Sequence, residues 1–211
     1  FVSERLSLSF GIRSDANSYS KEMVNMLRQL SPRFSASYSL SERFAINFNT
    51  GRYYQLPAYT VLGFRDNNNV LINKTNNVTY ISADHLVAGV EYTSLNNAKI
   101  SVEGFYKVYR NYPFLLNDSI SLANLGADFG VIGNEGVKSI SQGRSYGVEV
   151  LAQQKLYKGF YGIIAYTFVR SEFKDRNGNY EPSAWDNRHI VALTGGKKFK
   201  HNWEIGLKWR F

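Results

Sequence analysis

Hydrophobic and polar residues alternate along most of this chain. In the closing segment, residues 202–211 ("NWEIGLKWRF"), one side of the alternation carries glycine and charged residues, and the other carries Trp203, Ile205, Leu207, Trp209 and Phe211. A period of two is typical of a β-strand with two different faces. By this rule the sequence predicts about nine strands, of which residues 160–169 and 189–196 are apolar on both faces.

The predicted connections fall into two classes of length. Tight links join strand pairs at residues 41–42, 94–97, 154–159 and 197–202, and long polar stretches follow at 15–32, 55–83, 111–142 and 171–188. Residues 19–30 fit a short helix and a loop equally well. Loops of this length are uncommon in compact soluble domains, whereas transmembrane β-barrels combine short periplasmic turns with long extracellular loops.

Two all-β architectures explain the alternation. A soluble sandwich or lipocalin-like barrel turns its apolar side chains inward, whereas a transmembrane barrel turns them towards lipid. The loop asymmetry favours the second architecture, and so does the spacing of Trp203 and Trp209, since six residues of a tilted strand span roughly 14 Å of bilayer height. We therefore expect an antiparallel transmembrane β-barrel with an aqueous interior and no membrane-spanning helix.

The strand count predicts that this barrel is larger than the chain. If the short turns are periplasmic, the ninth strand runs outward and ends near the outer leaflet, but bacterial single-chain barrels have an even number of strands. We therefore expect residues 1–211 to be part of a longer barrel domain, with strands before Phe1 and at least one after Phe211.

Composition narrows the classes of partner and cofactor. The chain carries 25 Lys and Arg against 17 Asp and Glu, but these cations are scattered singly, and a nucleic-acid footprint would cluster them. There is no cysteine, which excludes disulfides and cysteine-based metal sites. His85, His189 and His201 lack metal-ligand spacing, so we expect neither a metal nor a cofactor.

Three segments resemble the C-terminal half of the barrel in TonB-dependent outer-membrane receptors of the Bacteroidota type. Residues 30–59 combine two strands around a short turn with an aromatic Gly-Arg-Tyr-Tyr segment and a proline, and residues 143–156 carry a Gly-Val-Glu strand after a long loop. Residues 180–211 contain an Asp-Asn-Arg-His segment followed by a strand pair. The resemblance implies a 22-stranded barrel, of which this chain supplies about nine strands. It also implies an N-terminal plug and a TonB box, neither of which lies within these residues.

The resemblance implies a function in the bacterial outer membrane. Such a protein imports a glycan, siderophore, haem, cobalamin or peptide, using energy that TonB delivers from the inner membrane. Its implied partners are outer-membrane lipid and lipopolysaccharide, TonB bound through an N-terminal region, the ligand, and a surface lipoprotein. A passive porin or an adhesin-type barrel remains an alternative.

An outer-membrane hydrolase is a second alternative, which the residues around 185–189 raise. Asp186 and His189 lie near Ser183 in the sequence, but no nucleophile elbow supports a catalytic serine. We therefore expect no enzymatic activity, and we interpret the cluster as an Asp–Arg pair that closes the loop.

Two groups of residues are candidates for contact with a ligand or a plug. Aromatic rings offer large rigid contact area, and with one acidic residue the predicted extracellular ligand-binding set is Tyr53, Tyr54, Tyr59, Phe64, Asp66, Tyr112, Phe114 and Trp185. The predicted lumen-facing or plug-facing set is Glu91, Glu103, Lys107, Glu149, Glu204 and Lys208. For the second set, we expect opposite charges on neighbouring strands to pair with one another.

Overall fold

The computed structural model describes residues 4–125 and 133–211, and most of them form one antiparallel sheet. The strands are β1 (Leu6–Ser14), β2 (Leu30–Ser39), β3 (Phe44–Gln55), β4 (Ile81–Thr93), β5 (Ala98–Leu115), β6 (Val137–Tyr157), β7 (Phe160–Lys174), β8 (Tyr180–Pro182), β9 (Arg188–Lys198) and β10 (Glu204–Arg210). The short helices are α1 (Lys21–Val24), α2 (Tyr59–Gly63) and α3 (Ile72–Thr75), with single 3₁₀ turns at Met26–Gln29, Leu122–Asn124 and Lys200–Asn202. None of the helices in these described ranges is both long and apolar enough to cross a membrane.

The sheet is a meander in which consecutive strands are neighbours. β1 to β7 follow one another in chain order, and β9 and β10 complete the path. The three-residue strand β8 lies off this path and pairs with the end of β7. The predicted all-β antiparallel architecture and its nine strands are thus confirmed, and β8 is an addition that was too short to show an alternating pattern.

Short and long connections lie at opposite edges of the sheet, which we call the turn edge and the loop edge. At the turn edge, β6 and β7 are joined by only Lys158 and Gly159, both at positive φ (49° and 83°), as a type I′ hairpin turn requires. Residues 40–43, 94–97 and 199–203 form the other links at this edge. The asymmetry predicted from the sequence is therefore present.

Several strands extend farther into the predicted loops than the alternation indicated. β5 continues to Leu115 and β6 begins at Val137, with register shifts after Tyr109 that interrupt the period of two. The extensions are stabilised by packing, because the rings of Tyr109 and Tyr112 lie 5.4 and 4.9 Å from that of Phe173 on β7. Residues 19–30, for which helix and loop were equal expectations, form α1 and a 3₁₀ turn before β2 begins.

Cross-strand register keeps the alternation of all strands in phase. Starting on β3, one row of Cα partners is Phe48, Ala88, Gly104, Val148, Phe168 and His189. The neighbouring row on the opposite face is Asn47, Gly89, Glu103, Glu149 and Thr167. The sheet therefore has one continuous apolar face and one continuous polar face.

The main hydrophobic cluster lies among the loops and leaves both faces of the sheet uncovered. Its buried members, which we call the loop core, are Val61, Leu62, Val78, Leu115, Leu122 and Val137. On the apolar face, by contrast, Phe10 is 74% exposed and Leu207 is 62% exposed. A soluble sandwich would bury these side chains in a dry centre, and within residues 4–125 and 133–211 they do not converge on one.

Candidate functional site

Basic and aromatic side chains meet on the polar face near the loop edge. Arg33, His85 and Lys107 belong to one row of the sheet, in which Gly51 separates Arg33 from His85. The ring of Tyr53 lies 4.5 Å from that of His85, and the Arg33 guanidinium carbon sits 4.5 Å from the centre of the Tyr53 ring. Position 51 leaves little room for a larger residue, since a Cβ there would lie 3.1 Å from Arg33 Cγ. We call Arg33, Tyr53, His85 and Lys107 the basic-aromatic cluster.

The cations of this cluster are not neutralised by nearby carboxylates. Among the residues that the structure describes, neither Arg33 nor Lys107 forms a salt bridge, and the Arg33 Nε is buried without a hydrogen-bond partner. Lys107 Nζ lies 5.0 Å from the centre of the Phe105 ring. The arrangement offers positive charge beside aromatic surface, which suits an anionic or planar group. Sequence reasoning selected Tyr53 and Lys107 but missed Arg33 and His85, because they meet only across strands.

All six predicted lumen-facing residues lie on the polar face, but only some of them form ion pairs. Glu91 pairs with Lys99 at 2.7 Å. Glu204 accepts a hydrogen bond from the Tyr161 hydroxyl at 2.6 Å and lies 3.7 Å from Lys198. For these two carboxylates, the expectation of pairing between neighbouring strands is correct.

Glu103 and Glu149 depart from this pattern, because they are direct cross-strand partners of the same charge. Neither has a salt bridge within the described ranges 4–125 and 133–211. Like charges in this position repel one another. The predicted pairing is therefore wrong for these two residues, and they present unneutralised negative charge closer to the turn edge than the basic-aromatic cluster.

Half of the predicted loop residues lie in strands instead. Tyr53 and Tyr54 belong to β3, whereas Tyr112 and Phe114 belong to β5. Tyr54 packs edge-on against Tyr80 at 6.4 Å, and Tyr112 packs against Phe173. The assignment of these four residues to loops is wrong, because β-pairing and aromatic packing continue past the alternating segments.

The other four predicted residues do lie in the connections between strands, and Tyr59 is the first residue of α2. Tyr59 is 81% exposed at the start of α2, Trp185 is 52% exposed, and Phe64 is partly exposed. Asp66 has a local role, since its Oδ1 accepts hydrogen bonds from the backbone N–H groups of Asn68 and Val70. Asp66 thus organises the tip of its loop, and Tyr59 and Trp185 offer the most exposed aromatic surface of this set.

A buried asparagine ties the long loops together. Asn73 is fully buried, and its Nδ2 donates to the carbonyl oxygens of Val61 at 2.7 Å and Glu135 at 2.9 Å. The hydroxyl of Tyr19 donates to the carbonyl of Leu62 at 2.8 Å, and burial raises the pKa of that tyrosine. The loops after β1, β3 and β5 therefore pack as one folded cap. Sequence reasoning missed this cap because its apolar residues have no strand or helix period.

The polar cluster near residue 186 forms no catalytic arrangement. Asp186 accepts hydrogen bonds from the Ser171 backbone N–H at 2.7 Å and from Arg170 Nε at 3.2 Å. The Ser183 hydroxyl contacts that of Ser171, whereas His189 Nδ1 lies 2.9 Å from the Tyr166 hydroxyl on the apolar face. The serine and the histidine do not meet, and Asp186 closes the loop as an Asp–Arg pair. The described residues contain no group of His, Cys, Asp or Glu that is suited to a metal ion.

Comparison with known proteins identifies the family to which the chain belongs. The family model described as "TonB dependent receptor-like, beta-barrel" matches residues 1–211. None of the curated proteins matches the chain.

Three solved structures illustrate the likeness of fold. The pyoverdine outer membrane receptor FpvA from Pseudomonas aeruginosa PAO1 has 17% identity and a TM-score of 0.65, covering 99% of this chain and 29% of its own. The ferric-catecholate import receptor Fiu from E. coli K12 has 13% identity and a TM-score of 0.64, and the match covers 99% of this chain and 32% of Fiu. The copper transporter OprC has 14% identity and a TM-score of 0.64, and the match covers 100% of this chain and 32% of OprC.

The chain thus spans about a third of the length of these proteins. At such low sequence identities the structural likeness shows only a shared fold. The match of the family model to residues 1–211 identifies the family. The two-faced meander of nine strands, with short turns at one edge and long loops at the other, is the barrel wall of that fold. The chain belongs to the TonB-dependent receptor-like β-barrel family.

Proposed function

We propose that the protein containing this chain imports a nutrient across the bacterial outer membrane, using energy delivered by TonB. The observation that carries the proposal is the in-phase apolar and polar faces of the wall in a chain of this receptor family. In a barrel of the outer-membrane type the apolar face contacts lipid and the polar face lines the interior. The location is the bacterial outer membrane, and the loop edge faces the outside of the cell.

The ligand is proposed to contact the basic-aromatic cluster and the exposed loop aromatics. Arg33 and Lys107 supply unpaired positive charge, and the Tyr53 ring supplies a flat surface between β2 and β4. Tyr59 and Trp185 add exposed aromatic area at the loop edge. Phe64 and Asp66 belong to the same loop as Tyr59 and complete the set of loop candidates.

Several ligand classes fit this set of side chains. The solved structures of similar fold include a pyoverdine receptor, a ferric-catecholate import receptor and a copper transporter. A siderophore, haem or cobalamin, a glycan or a peptide would each use aromatic and charged contacts. The unpaired cations favour the classes that carry negative charge.

The two unpaired carboxylates are proposed to contact the plug. Glu103 and Glu149 lie side by side on the polar face without a cationic partner in the described part of the chain. Arginine or lysine side chains of an N-terminal plug domain would neutralise them. Lys208 and the pairs at Glu91 and Glu204 lie on the same face and would line the remaining surface. The resemblance of the three segments at 30–59, 143–156 and 180–211 supports a receptor of the Bacteroidota type, and a surface lipoprotein partner is proposed along with that type.

Conductance of the full-length protein in planar bilayers tests this function against a passive porin. A plugged importer is expected to show almost no steady conductance and to bind an isolated TonB C-terminal domain. Removal of the plug should then open the pore. A steady open pore in the intact protein, together with no TonB binding, would reject active import and favour the porin.

A further inference from the structure

The polar face of β1, β2 and β3 carries a block of uncharged hydrogen-bonding side chains. The block consists of two rows of cross-strand partners and its members, which we call the serine-asparagine block, are Ser7, Ser9, Ser35, Ser37, Asn47 and Asn49. All six are exposed or half-buried, and none of their side chains forms a hydrogen bond or a salt bridge in the part of the chain that the structure describes. Their donors and acceptors are therefore available to another molecule.

The block ends abruptly between β3 and β4. The row that contains Ser35 and Asn49 continues on the polar face with Val87, Phe105, Gly147 and Val169. The side chains at these four positions cannot form hydrogen bonds. The available hydroxyl and amide groups of this row are therefore confined to one sector of the wall.

One arginine lies next to the block on the side of the loop edge. The adjacent row consists of Gly11, Arg33 and Gly51, so Arg33 has no side chain beside it on either neighbouring strand. Its guanidinium carbon lies 4.5 Å from the centre of the Tyr53 ring, and its buried Nε has no hydrogen-bond partner. Tyr53 therefore holds the guanidinium group in place while no carboxylate of the described residues neutralises it.

Arg33 and the serine-asparagine block line one groove on the polar face. Its upper part has a volume of about 290 Å³ and contains Arg33 and Tyr53, whereas its lower part has a volume of about 480 Å³ and ends at Glu103. Ser35 and Asn49 line both parts and join them. Volumes of this order are typical of sites for small molecules.

The lower end of the groove is negatively charged. A Cβ at Gly89 would lie 2.6 Å from Glu103 Cγ, so the glycine leaves space for Glu103 to lie across β4. Its cross-strand partner Glu149 carries the same charge, and neither carboxylate has a salt bridge within residues 4–125 and 133–211. The groove thus has a cation at the end near the loop edge and carboxylates at the other end.

We propose that this groove binds an acidic oligosaccharide, with a terminal carboxylate at Arg33 and uncharged sugar rings along the serine-asparagine block. Arginine presents a planar fork of donors that matches a carboxylate. Serine and asparagine side chains both donate and accept hydrogen bonds, as sugar hydroxyls do. The acidic end lies at Arg33 because Glu103 and Glu149 repel a negative charge from the lower end.

The density of polar groups favours a sugar over the other ligand classes. A haem would leave most of the six side chains unpaired, which weakens binding. A peptide offers one N–H and one carbonyl group per residue, whereas a sugar carries a hydroxyl on most of its carbon atoms. The inference rests on the proposed import function and names the ligand class of the same site.

Saccharide binding by the full-length receptor in detergent tests the proposal. The probes are a trisaccharide of two glucose units ending in glucuronate, the same trisaccharide ending in glucose, and N-acetyl-trialanine, which has a carboxylate and amides but no sugar. Isothermal titration calorimetry measures each affinity. The test variants are Arg33→Gln and the double variant Ser35→Ala with Asn49→Ala. The matched controls, Arg210→Gln and Ser39→Ala, lie on the same face outside the groove.

The acidic trisaccharide is expected to bind about tenfold more tightly than the neutral one, because the arginine forms charge-assisted hydrogen bonds with its carboxylate. Arg33→Gln should abolish this difference and leave the neutral trisaccharide unaffected. The double variant should weaken both trisaccharides by about fivefold to tenfold and keep their ratio. Both controls should bind as the unchanged protein does.

Three results would overturn the proposal. The first is equal binding of the two trisaccharides by the unchanged protein, and the second is undiminished binding of the acidic trisaccharide by Arg33→Gln. The third is binding of N-acetyl-trialanine as tight as that of the acidic trisaccharide, because the groove would then recognise a peptide.

Salt dependence and a second substitution keep the test decisive if Arg33→Gln does not assemble. Raising the salt concentration from about 50 mM to about 500 mM should weaken binding of the acidic trisaccharide only. Arg33→Lys keeps the charge but loses the planar fork, so it should retain part of the preference for the acidic trisaccharide. A preference that is unaffected by both salt and Arg33→Lys would count against Arg33 as the carboxylate site.

The result is separable from the test of import. A closed pore that binds TonB but neither trisaccharide would overturn the inference about the groove and leave active import standing. An open pore without TonB binding would reject import, whichever saccharide the groove binds.

Discussion

The Asn73 side-chain oxygen accepts a hydrogen bond from the backbone N–H of Val137 at 2.7 Å, and this contact joins α3 to the first residue of β6 across 64 residues of sequence. Together with the two bonds that its Nδ2 donates, it places a fully satisfied amide inside the loop core. A buried polar group of this kind specifies one arrangement, because any other arrangement leaves backbone groups without partners. The loops therefore form a cap of defined structure.

The first prediction concerns this amide. Asn73→Ala should destabilise the cap by about 2–4 kcal/mol, because it leaves buried backbone groups of Val61, Glu135 and Val137 unsatisfied. Limited proteolysis and hydrogen exchange of residues 56–80 should both accelerate in the full-length protein. Asn68→Ala at the loop tip is the control, and protection as strong in Asn73→Ala as in that control would contradict the prediction.

A second prediction concerns the pH dependence of the cap. Tyr112 lies beyond Arg110 on β5, outside the membrane-spanning part, and burial raises its pKa from 10.0 to about 12. A folded-state pKa above the unfolded value favours folding below the unfolded pKa, and this stability is lost as pH rises through the folded pKa. The cap should therefore lose about 2–3 kcal/mol between pH about 10 and about 12.

Tyr112→Phe should reduce this alkaline step and leave stability at neutral pH little changed, and the smaller contribution of Tyr19, whose pKa is also raised by burial, should remain. Urea titrations of the full-length protein, followed by a fluorophore in the loop after β3, measure the unfolding free energy at each pH. The same decline in the phenylalanine variant would show that another group is responsible.

The third prediction uses two glycines on adjacent strands. A Cβ at Gly147 would lie 1.9 Å from the Phe168 carbonyl oxygen and 2.8 Å from Phe105 Cζ, whereas a Cβ at Gly104 would meet only backbone oxygens at 4.0 Å. Gly147→Ala must therefore displace backbone and should destabilise the wall by about 1–3 kcal/mol or prevent assembly. Gly104→Ala should assemble normally, as seen in heat-modified gel mobility. Equal assembly of the two variants would argue against the close approach of β6 and β7.

A fourth prediction tests which face contacts lipid, through neighbouring residues of β3. Phe48→Arg puts a charge on the apolar face near the middle of the strand, where the cost in a bilayer is about 2–4 kcal/mol. Asn49→Arg puts the same charge on the polar face, where water solvates it. Folding into lipid vesicles, measured by urea titration, should separate the two. If Asn49→Arg were the more damaging substitution, the assignment of the faces would be reversed.

The barrel wall was largely predictable because its signal is local. Each strand alternates with a period of two, and the apolar side of the segment at 202–211 is the apolar face of β10. Loop asymmetry also shows in the sequence, since tight turns need few residues. The exact ends of β5 and β6 were not predictable, because their extensions depend on aromatic packing across strands.

The amino-acid sequence alone determined the strands, their two faces and the edge on which the long loops lie. Only the tertiary structure decided which charged residues meet: Glu103 faces Glu149, Arg33 reaches Tyr53, and Arg52 shares Asp84 with Arg110. The physical reason is that alternation is a property of one strand, whereas neutralisation of a charge depends on cross-strand register. Register depends on all strands and turns together, so it cannot be predicted from the sequence of any single segment.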